Sequence, residues 1–430
     1  MMERMSPSRK ALLIGIDGLP RDLLLQMIDR GVMEGLKGIL NEGFLVHPMR
    51  ASLPEISSVS WTSFMTGKNP GEHGIFGFTH LTPGSYHLHF TNSQDMKAPT
   101  FWQRLSKERK LKRSLVLNVP NTYPAFPIEG LLVSGFVAVD FEKAVYPPSY
   151  IPSLRKMNYI IDVDAEKART DKAGLHQDIL NSLSTRRDVS VTLFDHEPWD
   201  LFLLCLTETD RLHHFYFDER DGERFERVYA AIDQIITDLY RKAQEKWNDQ
   251  FLFLIVSDHG FSLLKEEVNL NAYLAAAGIL KLDPGKDYYE KIGPGTSAFA
   301  MDPGRIYIHA EKIFPRGHIR PEQMEKTRET LKSLLYSLKG SDGTPVIRTI
   351  FEKDDIYRGP FAAEGPDLVC IPHPGYDLKG NMRKKDVFTL DIFKGMHTWE
   401  NAVLMAPAST PVESNITIEH PAKLISDYFS

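Results

Sequence analysis

Three short apolar runs in this chain are each followed by an aspartate: ALLIGI leads into Asp17, LFLLCLTET into Asp210 and FLFLIVS into Asp258. Aliphatic and aromatic runs of this length read as buried strands of a mainly parallel sheet. Ligands of open α/β sheets sit just beyond the carboxyl ends of the strands. The pattern therefore predicts an α/β fold that delivers three carboxylates to one edge, where they repel one another unless something cationic lies between them. His214 follows Asp210 by four residues, and His259 follows Asp258 directly. Mixed carboxylate and imidazole sets suit divalent transition metals.

At 430 residues, 42% hydrophobic and 25% charged, the chain has room for a large core. Its net charge of -6 disfavours a nucleic-acid polymer or an anionic membrane as partner. A small anionic substrate remains compatible, because bound cations reverse the sign of a local site. Cys205 and Cys370 lie within LFLLCL and DLVCIP, and read as buried small hydrophobes rather than as a disulfide or metal ligands. The opening MMERMSPSRK is polar, and the apolar run after it is too short for a signal-peptide core or a membrane span. These features predict a cytoplasmic location without a membrane segment.

The first strand is expected over Ala11 to Ile16, with Pro20 at the first position of a helix and LLLQMIDRGVMEGLKGIL as its amphipathic continuation. Within 52–67 a proline and a hydroxyl cluster precede a helical pattern through Trp61, Phe64 and Met65, closed by Gly67 and Pro70. WQRLSKERK with SLVLNVP forms a further helix–strand unit, and GLLVSGF another strand. Residues 136–165 have no clean period and read as a long excursion. Helices are expected from Lys172 to Phe194 and, most strongly, within 219–248. Beyond Phe261 the chain becomes Pro- and Gly-rich, with a strand at RIYIHA and a helix over 321–338, before NAVLMAP resumes the sheet and AKLISDYF ends in a helix. The expected organisation is a catalytic α/β core over 1–261 and 391–430, with a smaller inserted cap over 262–390.

Asp210 and His214, four apart, share one face of a helical turn. His213 serves nearly as well at three apart, so spacing leaves both open. Asp258 and His259 reach one centre only if the strand has ended in a turn, which Gly260 permits. Ser57, Ser58, Ser60, Thr62 and Ser63 surround a helix start, where serine is often a cap. A helix start also binds anions through its free N–H groups. A serine there, with its hydroxyl on a metal, is a nucleophile for a bound phosphate.

The segments IGIDG around Asp17, SSVSWTSFMTGKNPGEHGIFGF from Ser57, TETDRLHH at 207–214, VSDHGF at 256–261 and GMHTW at 395–399 span nearly the whole chain. Together they resemble the alkaline phosphatase superfamily, in its nucleotide pyrophosphatase/phosphodiesterase branch and a related group of phosphohydrolases or phosphomutases. The resemblance implies an alkaline-phosphatase-like sheet flanked by helices, with two divalent metal ions. Asp17, Ser57, Asp258 and His259 would hold one ion, and Asp210, His214 and His397 the other. GMHTW is an unremarkable loop on its own, so His397 is a candidate through the resemblance alone. Counting along the motif makes Ser57 the nucleophile, with Ser58 as fallback, and Ser60 a contact for a phosphoryl oxygen. His73 is implied to be structural, and the stretch at 118–136 is similar to the phosphohydrolase group without an assigned role. The sulfatase branch is disfavoured, since Val59 and Trp61 stand where its maturation motif needs other residues.

The expected chemistry is in-line phosphoryl transfer through a phosphoserine, with two cations about 4 Å apart. Zinc is favoured by the imidazole count, and manganese suits the same carboxylates. The reading is a phosphodiesterase or nucleotide pyrophosphatase acting on a small-molecule phosphate ester. Its alternatives are a phosphomutase or phosphomonoesterase on a sugar or small-acid phosphate, and a metal-binding scaffold without turnover. Tyr288, Tyr289 and Phe299, in the cap, are candidates to stack on a base or sugar.

Overall fold

The computed structural model describes residues 9–430; the expectation for the N-terminal residues 1–8 lies outside it. Eight strands form the main sheet, in the order Phe44–Met49, Ala402–Pro407, Phe251–Val256, Lys10–Ile16, Leu201–Leu206, Ser114–Val119, Gly130–Ser134 and Val145–Tyr146. The five strands from Phe251–Val256 to Gly130–Ser134 run parallel. Ala402–Pro407 and Val145–Tyr146 are antiparallel to their neighbours. The mainly parallel α/β class expected from the apolar runs is the class observed.

The period of two along these strands divides their side chains between two cores. Leu12, Ile14, Phe202 and Leu204 join one apolar cluster with Leu183 and Val189 of Lys172–His196 and Ile232 and Ile236 of Glu223–Trp247. Ala11, Leu13, Leu203 and Cys205 face the other side, against Trp61 and Phe64 of Ser57–Thr66, Phe101, and Ile425 of the terminal helix His420–Phe429. Both cysteines are free and buried. No helix among the described residues is long and apolar enough to cross a membrane.

Between the strands Phe251–Val256 and Ala402–Pro407 the chain builds a second set of sheets. Four antiparallel strands take the order Ala298–Met301, Arg305–Ile308, Leu368–Pro372 and Ile347–Glu352, and three more take the order Tyr376–Lys379, Glu266–Asn269 and Phe388–Thr389. Val268, Ile306, Leu331, Leu335 and Cys370 form its core, which also takes in Tyr86 from an earlier hairpin. Entry and exit of this region are joined by a two-stranded ribbon, Gly260–Leu263 against Gly395–Thr398.

Two local expectations need correction. Pro20 caps the first helix from an extended conformation, and the helix itself begins at Arg21. The amphipathic stretch after it is two helices, Arg21–Asp29 and Glu34–Asn41, because Gly31 turns left-handed at φ +75° between them.

One close approach fixes the helix Ser57–Thr66 against the sheet. A Cβ on Gly15 would lie 2.6 Å from Cη2 of Trp61, so only glycine lets the indole lie against the strand. Gly15→Ala is expected to lower the unfolding free energy by about 1–3 kcal/mol through overpacking. Urea denaturation checks this; an unchanged midpoint would show that the Trp61 helix shifts freely.

Candidate active site

Asp17 follows the first strand directly, and its N–H donates to the Leu206 carbonyl at 2.9 Å, which places it at the carboxyl edge of the sheet. Its carboxylate accepts the indole N–H of Trp61 on Oδ2 at 2.8 Å. Gly18, left-handed at φ +67°, turns its N–H to Asp258 Oδ1 at 2.9 Å. His259 donates Nδ1–H to the Gly260 carbonyl at 3.0 Å. Its Nε2 is 3.2 Å from Asp258 Oδ2 and 3.6 Å from Asp17 Oδ1. All three residues are buried, with ligand atoms within 4.8 Å of one another.

Asp210 lies in the first turn of the helix Glu208–Tyr216, not at the strand end. A carboxylate suits that position, since a helix N-terminus carries partial positive charge. His214 lies one turn on, with Nε2 3.4 Å from Asp210 Oδ1. The adjacent His213 is fully buried, with Nδ1 donating to the Gly18 carbonyl and Nε2 on the Tyr229 hydroxyl, both at 2.9 Å. Packing thus commits His213 to the scaffold and leaves His214 beside Asp210. His397 reaches the site on the ribbon, where Phe261 pairs with it. Its Nδ1–H donates to the Glu55 carbonyl at 3.2 Å, and its Nε2 lies 3.1 Å from His214 Nε2 and 3.2 Å from Asp210 Oδ1. Asp210, His214 and His397 form a second group with ligand atoms within 4.8 Å. The two groups adjoin, since the His259 and His397 rings stack with centroids 3.7 Å apart.

Ser57 opens the helix Ser57–Thr66. Its Oγ is 3.3 Å from Asp17 Oδ1 and 3.1 Å from His259 Nε2. Ser58 is fully buried and its Oγ makes no hydrogen bond. Ser60 is also fully buried, and its Oγ accepts the Ser52 N–H at 3.2 Å. Helical rotation turns it to the packed side, so the expected phosphoryl contact from Ser60 has no support in the geometry. Trp61 read as a core residue in the sequence, yet it also holds Asp17. The available signal was its spacing of four from Ser57, which puts both on one helix face. His73 is structural: buried, bonded to Ser63 Oγ at 2.9 Å and accepting the Ile75 N–H at 3.1 Å. In the inserted region, Tyr289 and Phe299 are core residues, and the Tyr289 hydroxyl donates to the Ala300 and Gly380 carbonyls. Neither is free to stack on a ligand; Tyr288 is exposed beneath Arg383.

A sequence profile of the type I phosphodiesterase / nucleotide pyrophosphatase family matches residues 11–400. The chain belongs to that family. Among solved structures, phosphonoacetate hydrolase from Sinorhizobium meliloti 1021, in complex with phosphonoformate, is similar with a TM-score of 0.67 at 15% identity, over 99% of this chain and 96% of that one. Murine ectonucleotide pyrophosphatase / phosphodiesterase 5, in complex with AMP, gives 0.59 at 12%, over 98% and 95%. A mutant of the alkaline phosphatase PafA gives 0.57 at 13%, over 99% and 96%. At these identities the likeness is one of fold. No curated protein matches the sequence. As a member of the type I phosphodiesterase / nucleotide pyrophosphatase family, the protein is a hydrolase acting on phosphoric ester bonds.

Electrostatics decide what the phosphodiesterase-family site can hold. Burial, then the nearby carboxylates, push the Asp17 carboxyl well above its usual range. Burial likewise pushes Asp258 up to about 8. Asp210 goes the other way: burial opposes its charge, but His214, His397 and Arg211 hold it well below the usual range. His259 is pushed down to about 4, by burial and then by His397. Because carbonyls take the Nδ1–H of His259 and His397, the Nε2 of each neutral ring carries a lone pair. That lone pair faces Asp258 Oδ2 in one case and Asp210 Oδ1 in the other, each at 3.2 Å. With the carboxylates ionised and the rings neutral, acceptor faces acceptor in both groups, and the buried Asp258 Oδ2 has no hydrogen bond. Two divalent cations fit this donor chemistry.

Asp258→Asn is expected to lower bound divalent metal, measured by elemental analysis. In chelator-stripped protein the raised carboxyl of Asp258 binds its proton more tightly folded than unfolded. Its contribution to stability is therefore full below about pH 4 and lost as pH rises to about 8. The stripped variant should lose less stability over that window than the stripped wild type, and parallel profiles would contradict the assignment.

Proposed function

We propose that this enzyme is a phosphodiesterase that cleaves a small-molecule phosphodiester through a phosphoserine on Ser57. The observation that carries the reading is the position of Ser57 Oγ, within 3.3 Å of Asp17 and 3.1 Å of His259 at a helix start. Asp17, Ser57, Asp258 and His259 would hold one divalent ion, and Asp210, His214 and His397 the other. Three imidazoles favour Zn²⁺, and Mn²⁺ fits the carboxylates. When bound, such ions neutralise charge on the attacking and leaving oxygens of an in-line displacement.

Ser57 supplies the oxygen that bonds to phosphorus as the bond to the leaving alkoxide breaks. Its hydroxyl stands beside Asp17 Oδ1 and His259 Nε2, the atoms that would hold the first ion, so its proton leaves to solvent as the bond to phosphorus forms. The Ser57 and Ser58 N–H groups at the start of its helix have no backbone acceptor and would be free to donate to phosphoryl oxygens. Trp61 keeps Asp17 oriented throughout. Water then attacks phosphorus on the opposite side, the Oγ–phosphorus bond breaks and Ser57 regains its proton.

A nucleotide-type diester is the favoured substrate class, since the family is named for such substrates and a relative of the same fold is bound to AMP. The region 262–390 is proposed as the cap that shapes the leaving-group pocket, because its strand Tyr376–Lys379 packs beside the His397 strand. The free, buried cysteines suit a reducing cytoplasm.

Ser57→Ala should lower kcat by at least about 10³-fold while metal content stays near that of the wild type. Normal turnover by this variant would reject Ser57 as the nucleophile. A screen of nucleotide diesters against monoesters, with Zn²⁺ and Mn²⁺ supplied separately in ¹⁸O-labelled water, tests the reaction class. Label in the released phosphoryl product is expected; unlabelled transfer to a second alcohol would indicate a mutase.

A further inference from the structure

Asp210 is followed by Arg211, and the two side chains meet: Arg211 Nη1 donates to Asp210 Oδ2 at 2.9 Å. The other oxygen, Oδ1, faces His397 and His214. The carboxylate is thus divided, one oxygen on a guanidinium and one on the imidazoles. Arg211 is itself clamped, with Nε and Nη2 donating to the two oxygens of Asp162 at 3.1 and 2.6 Å. Its guanidinium also lies over the Phe136 ring at 4.3 Å. The pair is well shielded, with Arg211 and Asp162 side chains 10% and 20% exposed.

Asp162 belongs to the excursion 136–165, for which the sequence suggested no role. Its backbone approach is fixed by the fully buried Arg186, which donates to the Ile161 carbonyl at 3.1 Å and the Tyr159 hydroxyl at 2.9 Å. The same guanidinium holds Glu208 Oε1 at 2.7 Å, at the first residue of the Asp210 helix. One buried cation therefore ties the Asp162 segment to that helix.

We infer that Asp162 is a positioning residue for the ion held by Asp210, His214 and His397. It locks Arg211, which engages Asp210 Oδ2 and presents Oδ1 to the imidazoles. The inference rests on the two-ion reading above. A free aspartate rotates to offer either oxygen, whereas a planar fork held at both ends removes that freedom. Hydrogen-bond partners of a ligand commonly change metal affinity about 10- to 100-fold.

The test is a Zn²⁺ titration of the chelator-stripped full-length enzyme against a chromophoric competitor, with no substrate present. The wild type should take up two ions. Asp162→Asn should weaken one of them about 10- to 100-fold and leave the other unchanged, with Asp162→Glu recovering part of the loss. Arg211→Lys, which cannot hold both carboxylates in one plane, should weaken the same ion and serves if Asp162→Asn folds poorly. At saturating Zn²⁺ the KM of Asp162→Asn should match the wild type. Unchanged affinities for both ions would overturn the inference, as would equal weakening of both with a lowered Tm. Unchanged affinities with a raised KM would instead make Arg211 a substrate contact, and overturn it too. A wild type that takes up two ions but hydrolyses no diester removes the proposed function and leaves this inference standing. A wild type that takes up none removes both.

Discussion

The arrangement depends on acceptor atoms being held against one another at the carboxyl edge of the sheet. Asp258 Oδ2 and His259 Nε2 sit 3.2 Å apart with the ring proton committed to the Gly260 carbonyl. Asp210 Oδ1 and His397 Nε2 repeat the relation, with the proton committed to Glu55. In a buried setting such contacts cost free energy unless positive charge lies between them. The surrounding fold maintains that geometry: Gly18 on Asp258, Trp61 on Asp17, and Arg211 on the far oxygen of Asp210.

The route from sequence to this site is short for some residues and long for others. Asp17, Asp258 and His259 were legible because a parallel strand has a chemically distinct end, and an apolar run marks it. Asp210 was legible as a residue type but not by location. It lies in a helix, and the His213–His214 ambiguity is resolved only by Tyr229 and the Gly18 carbonyl, both distant in sequence. His397 carries no local signal. Its place depends on the pairing of Gly260–Leu263 with Gly395–Thr398 across the whole inserted region. Family resemblance supplied what periodicity does not encode.

The misread elements have equally physical causes. A period of 3.6 continues across Gly31, so the helix break there depends on a single backbone conformation. Ser60 belongs to the same hydroxyl cluster as Ser57, and only the packing of the helix turns it onto Ser52. Tyr289 and Phe299 sit in a loop-like stretch but fill the core of the inserted sheets. For the side chains, hydrogen-bond and packing partners, not residue type, separate a site residue from a scaffold residue.

The most direct test of the account is anomalous diffraction at the zinc edge from crystals grown with Zn²⁺. Two peaks are expected, one among Asp17, Ser57, Asp258 and His259, the other among Asp210, His214 and His397. Density without a peak at either position, with the facing carboxylates and imidazoles bridged by protons alone, would contradict it.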